Sequence, residues 1–188
     1  MNQSGNPSSI KSKKEITEAL LHLMKLYPYN EITVKQIVLE TSLVRKTFYR
    51  NFSSKDDVLN SHIASLLLDY VETVSKPQSD VFSIIFSFCN MNKELLKILY
   101  KNNIMYILLQ NMNQIVPIAH AHLDQATQNC PFSFGNLNPE YLLAFNIGAI
   151  YNVIAKWVEQ GMVDSPDEIT ATLKMYLTSG LELLIANP

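Results

Sequence analysis

Leu43-Val-Arg-Lys-Thr-Phe-Tyr-Arg-Asn-Phe52 (LVRKTFYRNF) sets three cations among three aromatic rings in a chain whose formal net charge is −2. At about 100° per residue, Val44, Phe48 and Phe52 fall on one stripe about 80° wide, while Lys46 and Arg50 leave from the opposite side with Arg45 and Tyr49 beside them. A free helix this short is marginal in water, so it must dock through its aromatic stripe. Docking turns Arg45, Lys46, Tyr49 and Arg50 outward.

Upstream, Thr33-Val-Lys-Gln36 reads as a capping box opening a short helix that buries Val34, Ile37 and Val38. Residues 33–52 therefore read as helix, tight turn, helix. In a helix-turn-helix the outward side of the second helix enters the major groove. Arg and Lys can reach guanine O6/N7 or phosphate there, and Tyr and Thr hydroxyls can hold phosphate oxygens. The N-termini at Thr33 and at Ser54-Lys55 add free backbone N–H groups. On charge alone, a merely solvated basic face stays equally open.

The charge distribution bears on that choice. Residues 1–60 hold nine Lys/Arg against six Asp/Glu, and residues 61–188 hold six against eleven. A basic head on an acidic body points to a polyanion partner for the head only. Apolar residues make up 47% and charged residues 17%, with 5 Gly and 8 Pro among 188 residues, which excludes disorder and fits a compact chain poor in turns. No stretch reads as an uncharged membrane span, and the polar start MNQSGNPSSIKSKK has no signal-peptide core. Cys89 and Cys130 lack metal-ligand spacing, so a cytoplasmic location with reduced thiols is expected.

Helical punctuation recurs along the chain. Ser12-Lys-Lys-Glu15 reads as a capping box ahead of Ile16, Leu20, Leu23 and Tyr27, with Pro28 as the stop. Ser53 to Asp57 opens a long helix through Leu68, Tyr70 and Val74, ended by Lys76-Pro77. Two short helices follow over residues 80–89 and 94–102, then a longer one over residues 104–128 kinked at Pro117 and a loop over Cys130–Leu137. Asn138-Pro139-Glu140 starts a helix that Gly161 stops, and Ser165-Pro-Asp-Glu168 starts the last one. The expected fold is all-α with about nine helices: a three-helix head over residues 1–54 and a helical regulatory and dimerisation body over 55–188.

Residues 12–62, with "ITVKQIVLETS" and then "TFYRNFSSKDDVL", resemble the DNA-binding domain of TetR-family transcriptional regulators. The Phe48-Tyr49 pair, Phe52 and Lys55 stand at the family's spacing. AKWVEQGMVDSPDEI also resembles the end of the C-terminal domain in many such regulators from low-GC Gram-positive bacteria. The resemblance implies a homodimer reading a pseudo-palindromic double-stranded operator, with a C-terminal domain sensing a ligand. It implies that Thr33 and Lys55 hold phosphates, that Tyr49 packs on the backbone, and that Arg45 and Lys46, then Thr47, read bases. Lys35 and Arg50 complete the DNA-facing set. The chain departs from the family pattern at Thr41-Ser42, where a small residue or Gly is usual in the turn, and at Val44, where Ser or Thr often stands. Ser42 is expected to cap the second helix slightly early.

In the body, the helix beginning at Glu140 is apolar nearly all round. Pairing it and the last helix (Ile169, Leu173, Tyr176, Leu177, Leu181, Leu184) across a two-fold axis would bury the excess. An apolar effector site is expected between residues 78–135 and this helix, walled by Phe86, Met105, Tyr106, Leu109, Met112 and Phe145, with Phe82, Phe88 and Tyr100 nearby. Tyr106, Gln110, Asn113 and Asn146 are its candidate polar handles. Aromatic and Met side chains at helical spacing serve a core as readily as a pocket. His120 and His122 are expected as surface imidazoles, not metal ligands. No nucleophile triad, paired-carboxylate motif or phosphate loop stands out, so neither catalysis nor a cofactor is expected. The resulting function is a dimeric repressor released by a small apolar molecule. Activation, or action through a protein partner on the same fold, is the alternative.

Overall fold

The computed structural model describes residues 7–74, 80–126 and 137–186. Nine α-helices and one 3-10 turn make up the regular structure among them, with no strand. The helices are α1 (Pro7–Leu26), α2 (Val34–Leu39), α3 (Arg45–Asn51), α4 (Lys55–Val74), α5 (Val81–Met91), α6 (Lys93–Lys101), α7 (Tyr106–Ala126), α8 (Pro139–Glu159) and α9 (Pro166–Ala186). The 3-10 turn, Tyr29–Glu31, sits between α1 and α2.

The local rules explain most boundaries. Thr33 caps α2 through a complete capping box with Gln36. Asp80 caps α5, and Asn138 caps α8 with Pro139 in its first turn. Gly161 ends α8 at φ +81°, a left-handed conformation that a side chain would resist. Ser165 and Glu168 form the reciprocal bonds that start α9. Residues Cys130 to Asn136 of the expected loop, and the Lys76-Pro77 stop, lie outside the described residues. α7 runs through Pro117 as a single helix.

Two expected caps are overturned. α1 starts at Pro7, where a proline with no N–H to satisfy fits a first turn. Ser12 therefore lies inside the helix, buried, donating to the Ser8 carbonyl at 2.8 Å. Its supposed partner Glu15 instead accepts from the Ser42 N–H at 2.5 Å and the Ser42 hydroxyl at 2.8 Å. Ser42 is thus tied to α1 and does not cap α3; Val44 holds that position with no side-chain cap bond.

The head packs α2, α3 and α4 around α1. Ile16, Leu20, Ile37, Phe48, Val58 and Leu59 form its dry centre. Phe48 is wholly buried, with Tyr49 edge-on at 5.4 Å and Phe52 at 6.2 Å. Tyr27 and Leu68, expected on buried faces, are largely exposed. So is Val44, at 67%, because its extended backbone precedes α3 and turns the side chain off the Phe48 stripe.

Below the head, α4 continues past α1 to pack on α5 and α7, α7 packs on α8, α6 on α8, and α5 on α9. Phe86 meets Trp157 edge-on at 6.0 Å, and Asp80 pairs with Lys174 to tie α5 to α9. The expected division at residue 54/55 falls at the start of α4, a helix shared by both packed groups. α8 has the length and hydropathy of a membrane span, against the sequence reading, yet here it packs on α6 and α7.

Replacing Phe48 with Ala should cost about 3–5 kcal/mol, since a wholly buried ring leaves a cavity in the small head. Urea unfolding of the full chain measures it; a wild-type midpoint would show that the ring does not anchor α3.

Candidate functional site

α3 presents its cations as its burial pattern requires. With Phe48 at the bottom, Arg45, Lys46, Tyr49 and Arg50 are exposed and Thr47 lies half-buried at the edge. No carboxylate pairs with Arg45, Lys46 or Arg50 among the described residues. The Arg45 guanidinium lies 5.5 Å from the Tyr49 ring and donates to its hydroxyl at 3.2 Å, one turn along the helix. This pairing restricts a long side chain and limits the rotamer entropy lost on contact. Lys35 is exposed near the start of α2.

Two expected phosphate holders have other partners. Thr33 uses its N–H (2.8 Å) and its hydroxyl proton (2.7 Å) on the Gln36 carboxamide oxygen. Lys55 donates to the carbonyls of Tyr29 at 2.5 Å, Ile32 at 2.8 Å and Asn30 at 3.2 Å, with its ammonium 4.6 Å from the Tyr29 ring. All three ammonium protons are therefore engaged. Here Lys55 clamps the 3-10 turn.

That clamp belongs to a seam of which the residue pattern shows little sign. The Tyr29 hydroxyl donates to Asp56 at 2.5 Å; burial first, then Asp56, pushes the phenol well above its ordinary pKa, so it stays a donor. The Tyr29 N–H donates to the Asn102 side-chain oxygen at 2.7 Å, and the Asn102 amide donates to the Met24 carbonyl at 3.2 Å. Lys101 donates to the Lys25 carbonyl at 2.9 Å. The end of α6 thus satisfies the open carbonyls at the end of α1. Only the Asn at the end of α6 hinted at such a cap.

The body contains a cavity of about 130 Å³ walled almost wholly by carbon, between α4, α5, α6, α7 and α8. Of the expected wall, Met112 is in place and Phe88 joins it. Phe86 and Met105 are buried elsewhere in the core, and Leu109 packs against the core without reaching the cavity. Tyr106, 53% exposed, borders a polar cleft beside the seam, and Phe145, 72% exposed, points away from the cavity. Tyr100 is exposed too. Asn146 is the one expected polar handle at the wall.

The expected boundaries left out α4, whose Leu67, Tyr70 and Val71 form one side. Their i, i+3, i+4 spacing beyond the head was the available signal. Burial raises the Tyr70 phenol above its ordinary range, and burial pushes the Cys89 thiol up to about 12, leaving it unreactive. His120 corrects the surface-imidazole expectation: it is buried and lines this cavity. The His122 side chain lies outside the described residues. Among those described, no group of three or more His, Cys, Asp or Glu stands close enough to hold a metal.

Residues 16–61 match the family model for bacterial regulatory proteins of the tetR family, and residues 78–179 match that for a transcriptional regulator C-terminal region. No curated protein matches the chain. The fatty acid degradation regulator FadR from Bacillus halodurans is 15% identical, with a TM-score of 0.67 over 95% of this chain and 98% of that one. The dihydroxyacetone kinase operon activator DhaS is 16% identical, with a TM-score of 0.57 over 93% and 98%. At such identities the likeness is one of fold.

Lys55→Met, which keeps the apolar stem, should lower stability by about 1–2 kcal/mol, because three carbonyls lose a charged donor in a partly exposed site. The salt dependence of DNA binding should not change. A salt slope reduced by about one unit at wild-type stability would return Lys55 to the phosphate-holding set.

Proposed function

The chain belongs to the TetR family of bacterial transcriptional regulators, and on that premise we propose that it acts as a homodimer whose two α3 helices read a pseudo-palindromic operator, released by a small apolar ligand in the body. The observation that carries the DNA reading is the exposed Arg45, Lys46 and Arg50, which no carboxylate neutralises among the described residues, on a helix held in place by Phe48. Arg45 and Lys46, near the N-terminus of α3, are the base readers, since that end of a recognition helix enters the groove. Thr47, Tyr49, Arg50 and Lys35 hold the backbone. Regulation, not catalysis, is the reading, exercised in the compartment that holds the DNA. Repression and activation share this geometry and differ in where the operator lies.

The dimer rests on α8. Tyr141, Ala144, Phe145, Ala149 and Asn152 form an exposed stripe around Gly148, beyond whose Cα a side chain would meet nothing within 4 Å. Tyr176 and Leu177 of α9 are also exposed. Such an apolar face with small residues suits close, self-complementary helix packing across a two-fold axis.

The ligand reading rests on the cavity. A volume of about 130 Å³ suits a molecule near the size of benzene. A longer one fits only by parting the walls.

Arg45→Ala and Lys46→Ala should each cost about 1–3 kcal/mol on the preferred duplex and bind it at two chains per site. Electrophoretic mobility shift with a salt titration tests this; unchanged affinity in both variants would move base reading off α3. Neutral aromatic or aliphatic probes should raise the melting temperature and weaken duplex binding, and Ile150→Trp, which fills the cavity, should abolish both effects. Stabilisation by charged metabolites alone would overturn the apolar site.

A further inference from the structure

We propose that Val44 is a base-reading residue that selects thymine through its C5-methyl group in each half-site; the proposal rests on the DNA reading above. Val44 occupies the position just before α3, with an extended backbone at φ −93° and ψ 154° and a side chain 67% exposed. Valine is among the poorest residues for that position, where Ser, Thr, Asn or Asp would satisfy an open N–H of the first turn. Elsewhere the chain uses such caps, at Thr33, Asp80 and Asn138.

Two hydroxyls stand within the three residues that precede Val44, and neither fills the vacant role. Thr41 donates to the Val38 carbonyl at 2.8 Å and accepts from the Leu43 N–H at 3.2 Å. Ser42 donates to Glu15 at 2.8 Å. The turn is held from behind, so Val44 gains nothing for the fold by packing or capping. A lone exposed valine is ordinary on a protein surface. This one precedes Arg45 and Lys46 at the end of the helix that enters the groove.

Its chemistry then selects the base. A valine side chain offers no donor or acceptor, so it cannot bond the edge of guanine, adenine or cytosine. The thymine methyl is the apolar group that the major groove presents, and contact with it distinguishes T·A from C·G. The β-branched side chain has a stiff χ1, so little freedom is lost when the two groups meet. Removing the equivalent of about one methyl group in total from water corresponds to roughly a fourfold gain in affinity per half-site.

The test uses the full chain and a duplex that wild-type protein selects from a randomised library. Each thymine is replaced by deoxyuridine, which keeps the pairing edge and removes only the methyl. One symmetry-related thymine per half-site should show about a fourfold loss with wild-type protein and none with Val44→Ser. Val44→Ser should melt at or above the wild-type temperature, because serine can cap α3, so the lost response is not a folding defect. A preferred duplex insensitive to every methyl, or equal sensitivity in Val44→Ser, would overturn the proposal and leave the DNA reading intact. A library that yields no preferred duplex would overturn both.

Discussion

One ammonium group fixes how the head meets the body. Lys55, the first residue of α4, holds the carbonyls of the 3-10 turn, while Asp56 beside it holds the Tyr29 hydroxyl. The same turn is held from the other side by Asn102, which also ties the end of α1. Three helix ends, of α1, α4 and α6, therefore meet at one short turn. Burial lowers the Lys55 pKa, but three carbonyl dipoles and the Tyr29 ring face keep a cation favoured there. The orientation of α3 follows, because Phe48 and Phe52 dock into the core that α1 and α4 share.

Two of the three helices that meet at the seam, α4 and α6, also reach the cavity. Leu67, Tyr70 and Val71 line it from α4, and Leu96 lines it from α6. Lys55 and Leu67 are twelve residues apart on one helix, about 18 Å of rigid rod. On the proposed ligand reading, an occupant too large for the cavity must part α4 from α7 and α8, and the displacement reaches Tyr29 through a rod and not through loops. A ligand shifts the equilibrium only by its difference in affinity between the two arrangements. An apolar wall supplies that difference when it is filled in one arrangement and closed in the other.

What was legible in the sequence was what short-range chemistry encodes. The capping box of Thr33 and Gln36, the Asn138-Pro139 start, the Gly161 stop and the buried Phe48 each follow from residues a few places apart. What was not legible depends on partners far along the chain. Ser42 and Glu15 are 27 residues apart, and their bond both removes a cap from α3 and breaks the apparent box at Ser12. Lys55 finds its carbonyls 23 to 26 residues back. Periodicity also loses its power on a helix apolar all round. Nothing in the spacing of α8 separates Leu143 and Ile147, which line the cavity, from Tyr141 and Phe145, which face outward.

That two-sidedness gives α8 its place in the proposed mechanism. Its inner face, Leu143, Ile147, Ile150 and Ile154, is cavity wall, and its outer face, Tyr141, Phe145 and Gly148, is the proposed dimer seam. A close-packed interior transmits strain instead of absorbing it. In the proposed dimer, pressure on the inner face would be felt across the two-fold axis in the same helix that would set the distance between the two heads. Half-sites one helical turn apart, about 34–36 Å, tolerate little change in that distance. On the proposed reading, a single wall shared by ligand and partner would let a small apolar molecule alter the spacing of two DNA-reading helices without touching either.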